Sequence, residues 1–348
     1  MQNVRLAHIK ILVALSFACV VWAVYPLSTY AQARITIDIG SIDRIKNCQA
    51  SEEECKERIE EVKLLVQALL QQILATQYPE LPQGNEYYKQ SKYLRGLSEM
   101  PLAEGEEKVF EISYGVAPAI NRHTHPVYRE TWRIFSSIVP GEYLNNFKSI
   151  HFYRDKTDRY SALVRQRITR ENGDISEEWE LDVNLDNFSL SRGKYNYAIE
   201  TLAHETGHIL LINSGQMEYF IEEDDCKNHY VAQLKACARD ESYYSVLDDF
   251  WSDAFIKWSH EWEGDLRSSE VGEQATEELD KYYTKHEDEF VSIYAASGPD
   301  EDAAEVIAYL ARDDLPKRAR TIADKKIYSL VGFDEMSTLR DRVQGLLR

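Results

Sequence analysis

Two histidines and a glutamate near the middle of the chain have the spacing of a metal site that carries its own base. In the segment His204-Glu205-Thr206-Gly207-His208 the histidines are four residues apart, so on a helix both imidazoles project from one face. Two imidazoles at that separation can bind one zinc ion, and Glu205 can reach a water held by that metal. The spacing predicts two ligands and a general base.

The residues around this motif predict a buried helix. Apolar residues from Ala198 to Ile212 cover it broadly, and Ser214-Gly215 gives a plausible stop. Gly207 costs about 1 kcal/mol against alanine inside a helix, so its presence predicts that a backbone or a substrate approaches closely there. The alternative is a buried helix with two hydrogen-bonded histidines and no metal.

A second stretch, from Phe290 to Leu310, could supply a further ligand. Gly298 can cap a helix and Pro299 fits its first position, which places Glu301 and Glu305 four apart on one face. Acids are also favoured at a helix start by the helix dipole, so the alternative is a solvated acidic turn.

Together the two stretches, HETGH and YAASGPDEDAAE, resemble the gluzincin metallopeptidases of the lethal-factor and Pro-Pro-endopeptidase type. They are more similar still to a group of uncharacterised exported bacterial zincins with a cysteine-paired excursion between the two helices. The resemblance implies one zinc per chain held by His204, His208 and Glu301. It also implies that Glu305 fixes a ligand histidine and that Tyr294 faces the substrate oxygen.

The elements that would position these residues indicate an α+β fold. Strand-like segments at 109–112, 149–153, 161–164 and 179–185 precede the motif helix, and the C-terminal half reads as mostly helical. The expected architecture is a zincin-like metallopeptidase domain over 106–348, with a small mixed sheet before the active-site helix. An aromatic stripe, Leu247, Trp251, Phe255 and Trp258, has the spacing of buried helical core.

The N-terminus reads as an export signal. Residues 1–33 combine a basic start, an apolar run and an Ala31-Gln32-Ala33 cleavage site, and an uncleaved anchor is the alternative. The pattern of residues 34–105 predicts helix. The segment is interpreted as a pro-segment, an accessory domain or a helix packed on the core. The mature chain is expected to be periplasmic or secreted, with no stable insertion in a membrane.

Four cysteines remain once the predicted signal peptide is removed: Cys48, Cys55, Cys226 and Cys237. An even number of cysteines favours disulfides in an exported chain. Local pairing, Cys48 with Cys55 and Cys226 with Cys237, is the simplest of three connectivities. A four-cysteine zinc site fits poorly because the sequence lacks any C-x-x-C spacing.

The acidic composition of the chain bears on the partners it can bind. The formal net charge of −19 argues against nucleic acid and against anionic membrane surfaces. The pair His123-x-His125 lies in a loop and is interpreted as a surface pair, with a metal clip as the alternative. The isolated His229, His260 and His286 are interpreted as surface or capping histidines.

The function expected from these observations is zinc-dependent hydrolysis of peptide bonds in an extracytoplasmic protein or peptide, with Glu205 and Tyr294 as catalytic groups. The alternative is an interaction protein that keeps a zincin scaffold with little or no hydrolysis.

Overall fold

The computed structural model describes residues 96–171, 174–191, 193–268 and 272–348. The predicted signal peptide, nearly all of the predicted segment 34–105, and the pair Cys48 and Cys55 lie outside these residues. Within the part of the chain that is described, no helix is long and apolar enough to cross a membrane.

A four-stranded mixed sheet precedes the motif helix, as the strand-like segments predicted. Its order is β1-β2-β4-β3, with β2 and β4 parallel and the two outer pairs antiparallel. The strands are β1 (Glu107–Glu111), β2 (Phe147–Tyr153), β3 (Ala162–Glu171) and β4 (Asp174–Asn184). Strand β3 therefore lies at one edge of the sheet.

One face of this sheet is core and the other is charged. Trp179, Leu181 and Val183 of β4 are fully buried, while Glu180 and Asp182 point to the opposite face, where both contact Arg165 of β3. The hairpin of β3 and β4 is longer than predicted. Its outer half is mostly polar on both strands, so it lacks the apolar alternation by which a strand is recognised in a sequence.

Nine α-helices lie in the described residues from Pro126 onward. They are α1 (Pro126–Ile138), α2 (Gly141–Leu144), α3 (Tyr195–Ile212), α4 (Tyr243–Asp248), α5 (Asp253–Ser268), α6 (Gly272–Lys285), α7 (Pro299–Arg312), α8 (Ile322–Leu330) and α9 (Asp334–Leu347). The described chain is thus α+β, with its C-terminal half mostly helical. Helix α3 packs against α1, α7, α9 and strand β3, which buries it on nearly all sides.

Between α3 and α4 the chain makes a small excursion with a second sheet. Its strands, in the order β5-β7-β6, are β5 (Met217–Tyr219), β6 (Tyr230–Val231) and β7 (Ala236–Ala238). Cys226 and Cys237 form a disulfide across it, with Cα atoms 5.4 Å apart. This half of the predicted local pairing is confirmed.

The predicted aromatic stripe lies on two helices rather than one. Leu247 ends the buried face of α4, Phe255 begins that of α5, and Trp251 lies in the turn between them. The break arises because the Ser252 hydroxyl accepts a hydrogen bond from the Phe255 backbone N–H and so starts a new helix. Leu247, Trp251 and Phe255 are buried as predicted, whereas Trp258 is only partly buried and the single continuous helix was wrong.

Candidate metal centre

Helix α3 brings the two motif histidines together. Because they are one turn apart on the same face, their Nε2 atoms lie 3.1 Å from each other and their rings meet edge to face. The helix is apolar almost all round, with Ile199, Leu202 and Leu210 fully buried, so this face is held against neighbouring elements rather than in solvent.

The third member of the cluster comes from α7. Gly298 and Pro299 start this helix as predicted, and Glu301 follows in its first turn. The Glu301 Oε2 atom lies 3.1 Å from His204 Nε2 and 3.3 Å from His208 Nε2. Among the described residues these three form the one group of histidines, cysteines and acids positioned to hold a metal ion.

The donor atoms fit a small divalent cation. Glu301 Oε2 is buried without a hydrogen-bond donor in suitable geometry, although it faces two ring nitrogens. Three atoms at mutual distances of 3.1 to 3.3 Å approach one face of a tetrahedron, since zinc–ligand distances of ~2.0–2.1 Å give edges of roughly 3.3–3.4 Å. Lone pairs that converge in this way would repel one another unless a proton or a cation lies between them.

Glu305, four residues along α7, sets the orientation of His204. Its Oε1 lies 2.7 Å from His204 Nδ1, and its Oε2 accepts a hydrogen bond of 2.6 Å from the Ser292 hydroxyl. An acid on Nδ1 fixes the proton on that nitrogen and leaves the Nε2 lone pair directed at His208 and Glu301. The structure thus places Glu305 where the sequence predicted a supporting residue.

The charges of this cluster depend on one another. Burial lowers the pKa of both histidines, but the carboxylates outweigh it: Glu301 and Glu305 raise the pKa of His204 well above its usual range, and Glu301 raises that of His208. For Glu301, burial favours the neutral acid, yet the two histidines hold its pKa below the usual range. Protons on the imidazoles therefore compete directly with a metal ion for these atoms.

Glu205 is buried beside the histidines and contacts the edge of the sheet. Its Oε2 accepts a hydrogen bond of 2.7 Å from the backbone N–H of Val164 in β3. Burial raises the pKa of Glu205, and the two histidines and this N–H partly oppose the rise. A carboxylate held in this way by one oxygen keeps the other, Oε1, for exchange of a proton.

Tyr294 lies in a short 3₁₀ turn before α7, with its ring 5.5 Å from the His204 ring. The residue is 39% exposed, so it borders the cluster and the solvent at once. Burial of its hydroxyl, reinforced by the nearby Glu301 carboxylate, raises its pKa well above the usual value. The hydroxyl therefore keeps its proton at neutral pH and can donate a hydrogen bond.

The remaining histidines are distributed differently. His125 accepts a hydrogen bond from the Val127 N–H at the start of α1, and His123 is exposed, so neither joins the cluster. His260 is exposed and His286 is half-buried against Glu289. The interpretation of His229 as a surface or capping residue was wrong: it is largely buried, and its Nε2 lies 3.1 Å from Asp300 Oδ1.

Two further residues near the cluster were not found from the sequence. Asp302 and Lys326 form a fully buried ion pair of 2.6 Å, and Trp251 Nε1 donates to the same carboxylate oxygen. A signal for Lys326 existed, because Ala323, Ile327 and Leu330 give its helix an apolar face on which the lysine also falls. Nothing comparable singled out His229, since its environment is made by residues distant in sequence.

Comparisons with protein-family models, with curated proteins and with solved structures found no significant match to this chain. The function must therefore be inferred from the chemistry of the cluster itself.

Proposed function

We propose that this chain is a zinc-dependent peptidase of the gluzincin type, which hydrolyses peptide bonds of an extracytoplasmic protein or peptide. The observation that carries the proposal is the convergence of His204 Nε2, His208 Nε2 and Glu301 Oε2 within 3.3 Å of one another, with Glu205 beside them. A zinc site that serves structure alone is usually closed by four protein ligands, whereas a catalytic one has three and keeps a position open.

His204, His208 and Glu301 would hold the metal, and nitrogen with carboxylate oxygen is a donor set that zinc accepts. When bound, zinc supplies Lewis acidity that lowers the pKa of a coordinated water toward about 7. Glu305 keeps His204 in the tautomer that a ligand needs. The site thus contains its ligands and the residue that orients one of them.

The other residues suit the two proton steps of amide hydrolysis. Glu205 Oε1 accepts a proton from the attacking water and returns it to the leaving amine, while Val164 holds Oε2. The Tyr294 hydroxyl donates a hydrogen bond to the oxygen that gains negative charge. The buried position of Glu205 favours this role, because burial raises its pKa and so strengthens it as a base.

The surrounding fold supports the same class. A mixed sheet lies before the motif helix, and its edge strand β3 runs beside that helix, where the Val164 N–H holds Glu205. The Cys226–Cys237 disulfide supports an oxidising, extracytoplasmic location.

The test separates metal binding from turnover. We expect about one zinc per purified chain, lost in both His204→Ala and Glu301→Ala, and cleavage of members of a fluorogenic peptide library. Glu205→Gln should abolish cleavage while the zinc content stays unchanged, because it removes the base and no ligand. Glu287→Gln, at an exposed glutamate, is the matched control and should behave as the parent.

Three outcomes would count against the proposal. Activity retained in Glu205→Gln removes the assigned base. Zinc retained in Glu301→Ala moves the third ligand to another residue. Zinc bound without cleavage of any library member favours the interaction protein over the peptidase.

A further inference from the structure

The first turn of α7 carries three consecutive acids, and each is bound by a different element. Glu301 faces the histidines of α3, Asp300 is bound by His229, and Asp302 is bound by Lys326 and Trp251. Residues on either side of the third metal ligand are thus tied to other parts of the fold. The proposed reaction uses neither Asp300 nor Asp302, and the contact of Asp300 leads to the part of the chain that carries the disulfide.

His229 is held in a fixed orientation by aromatic packing. Its ring stacks on Tyr244 at a centroid distance of 4.8 Å and a tilt of 22°, and it meets Trp251 at 5.1 Å. Trp251 in turn donates its indole N–H to Asp302. The ring that binds Asp300 and the ring that binds Asp302 are therefore in contact, so the two acids that flank Glu301 share one support.

His229 lies within the disulfide-closed loop, which we define as residues 226–237. Hydrogen bonds to the residue that follows this loop hold its backbone. Ala238, directly after Cys237, donates its N–H to the His229 carbonyl at 2.9 Å, and the Asn228 amide donates to the Ala238 carbonyl. Regular structure in the loop is limited to two short strands and one turn of 3₁₀ helix. In a loop with so little regular structure, the disulfide is what restricts the conformations of the chain.

We propose that His229 is a positioning residue for the third metal ligand, and that the disulfide-closed loop acts on the metal centre through it. By binding Asp300, His229 fixes the first turn of α7 at the depth where Glu301 Oε2 meets both imidazoles. This inference rests on the metal centre of the proposed function. It goes beyond that function in one respect: retention of the metal depends on the loop that Cys226–Cys237 closes.

The first test compares two histidines in matched environments. His229→Phe removes the bond to Asp300 but keeps a ring between Tyr244 and Trp251. The control is His286→Phe, because His286 likewise binds an acid, Glu289, and stacks on a tyrosine, Tyr282. Zinc affinity of the folded full chain is measured by competition with a chromophoric chelator.

We expect His229→Phe to weaken zinc about tenfold, the lower end of what outer partners of metal ligands contribute, and His286→Phe to stay within about twofold of the parent. His229→Gln, which still presents a donor to Asp300, should recover most of the affinity. The visible spectrum of the cobalt-substituted protein should change in His229→Phe and not in His286→Phe, since it reports the ligand geometry and not the stability of the fold.

The second test asks whether the disulfide acts through His229. The pair Cys226→Ser and Cys237→Ser, His229→Phe, and the triple variant form a cycle. If the loop acts through His229, the triple variant should lose no more affinity than the larger of the two separate losses. Losses that multiply would overturn this part of the inference, because they would mean two independent routes.

The outcomes distinguish this inference from the proposed function. A parent chain that binds no zinc would overturn the metal centre and, with it, the proposed function. A parent that binds zinc, with His229→Phe equal to it, leaves the metal centre standing and overturns the role of His229. Should His229→Phe fail to fold, Asp300→Ala removes the same bond from the other side, and an unchanged affinity in that variant is equally decisive.

Discussion

Gly207 and Ala304 lie in contact where α3 crosses α7. A Cβ atom added to Gly207 would lie 3.1 Å from both the Cα and the carbonyl oxygen of Ala304. These are backbone atoms and cannot rotate away, so only glycine in α3 and a small residue in α7 allow this approach. The contact lies between the two histidines of one helix and the two glutamates of the other, so it sets how closely the residues of the candidate metal centre approach.

Gly207→Ala should therefore destabilise the protein although alanine is the better helix former. We expect a loss of about 1–3 kcal/mol in the free energy of unfolding, because the added methyl group forces the helices apart. Gly345→Ala, in the last turn of α9 with nothing near its Cβ position, is the control and should not destabilise the protein. Urea unfolding of both variants measures this. A stabilised Gly207→Ala would mean that the helices are not in contact at this point.

Glu305→Gln should weaken the metal centre without removing a ligand. The amide is a poorer acceptor than the carboxylate for the Nδ1 proton of His204, so we expect zinc affinity to fall about 10–100-fold. Ser292→Ala removes the hydrogen bond to the other oxygen of Glu305 and the bond from the Ala295 N–H, but leaves the contact of Glu305 with His204, and should cost less. Competition titrations compare the two variants. If Ser292→Ala proved the more damaging one, Glu305 would not act on His204 as described.

The parts of the site that local spacing determines could be predicted from the sequence. His204 and His208 share a face because four residues make about one helical turn, and the same rule places Glu301 above Glu305. That Gly207 permits a close approach also followed from its cost inside a helix. Each of these statements concerns one helix and its own residues.

The parts that depend on long-range contacts could not be predicted. The parallel pairing of β2 with β4, and the bond from the Val164 N–H to Glu205, join segments separated by other elements. His229 lies among polar residues in sequence and was read as exposed, yet packing in three dimensions surrounds it with Tyr244 and Trp251. Sequence pattern describes the face of an element, but not which element covers it.

Stability at low pH should reflect the capping box of α8. Thr321 and Asp324 exchange side-chain and backbone hydrogen bonds, and Asp324 also accepts from the Arg320 N–H. Burial opposes ionisation, but these N–H groups together outweigh it and lower the pKa of Asp324. An acid with a lowered folded pKa stabilises above its unfolded pKa and loses that contribution as pH falls through the folded value.

Asp324→Ala should thus cost about 0.5–2 kcal/mol at pH 7, the usual range for a cap, and the difference from the parent should narrow toward pH 3. Urea unfolding at several pH values measures this difference, and Asp341→Ala, at an exposed position of α9, is the control. A cost that stayed constant down to pH 3 would show that ionised Asp324 is not what stabilises the start of the helix.

The buried pair of Asp302 and Lys326 gives the strongest stability prediction. Lys326 Nζ binds the Asp302 carboxylate at 2.6 Å and the Glu289 carbonyl at 2.8 Å, with both side chains of the pair nearly inaccessible. Lys326→Met keeps the volume but leaves a buried carboxylate without its cation, so we expect a loss of about 3–5 kcal/mol in the free energy of unfolding. Lys325→Met, at the exposed neighbouring lysine, should change it by less than about 0.5 kcal/mol.

Combining Lys326→Met with Asp302→Asn should recover part of that loss. The neutral amide removes the uncompensated charge, and its oxygen can still accept from the Trp251 indole N–H. We therefore expect the double variant to be more stable than Lys326→Met alone in urea unfolding, a coupling that only residues in direct contact produce. Additive losses would mean that Asp302 is not ionised beside Lys326, and that the helix of Glu301 is anchored by packing rather than by charge.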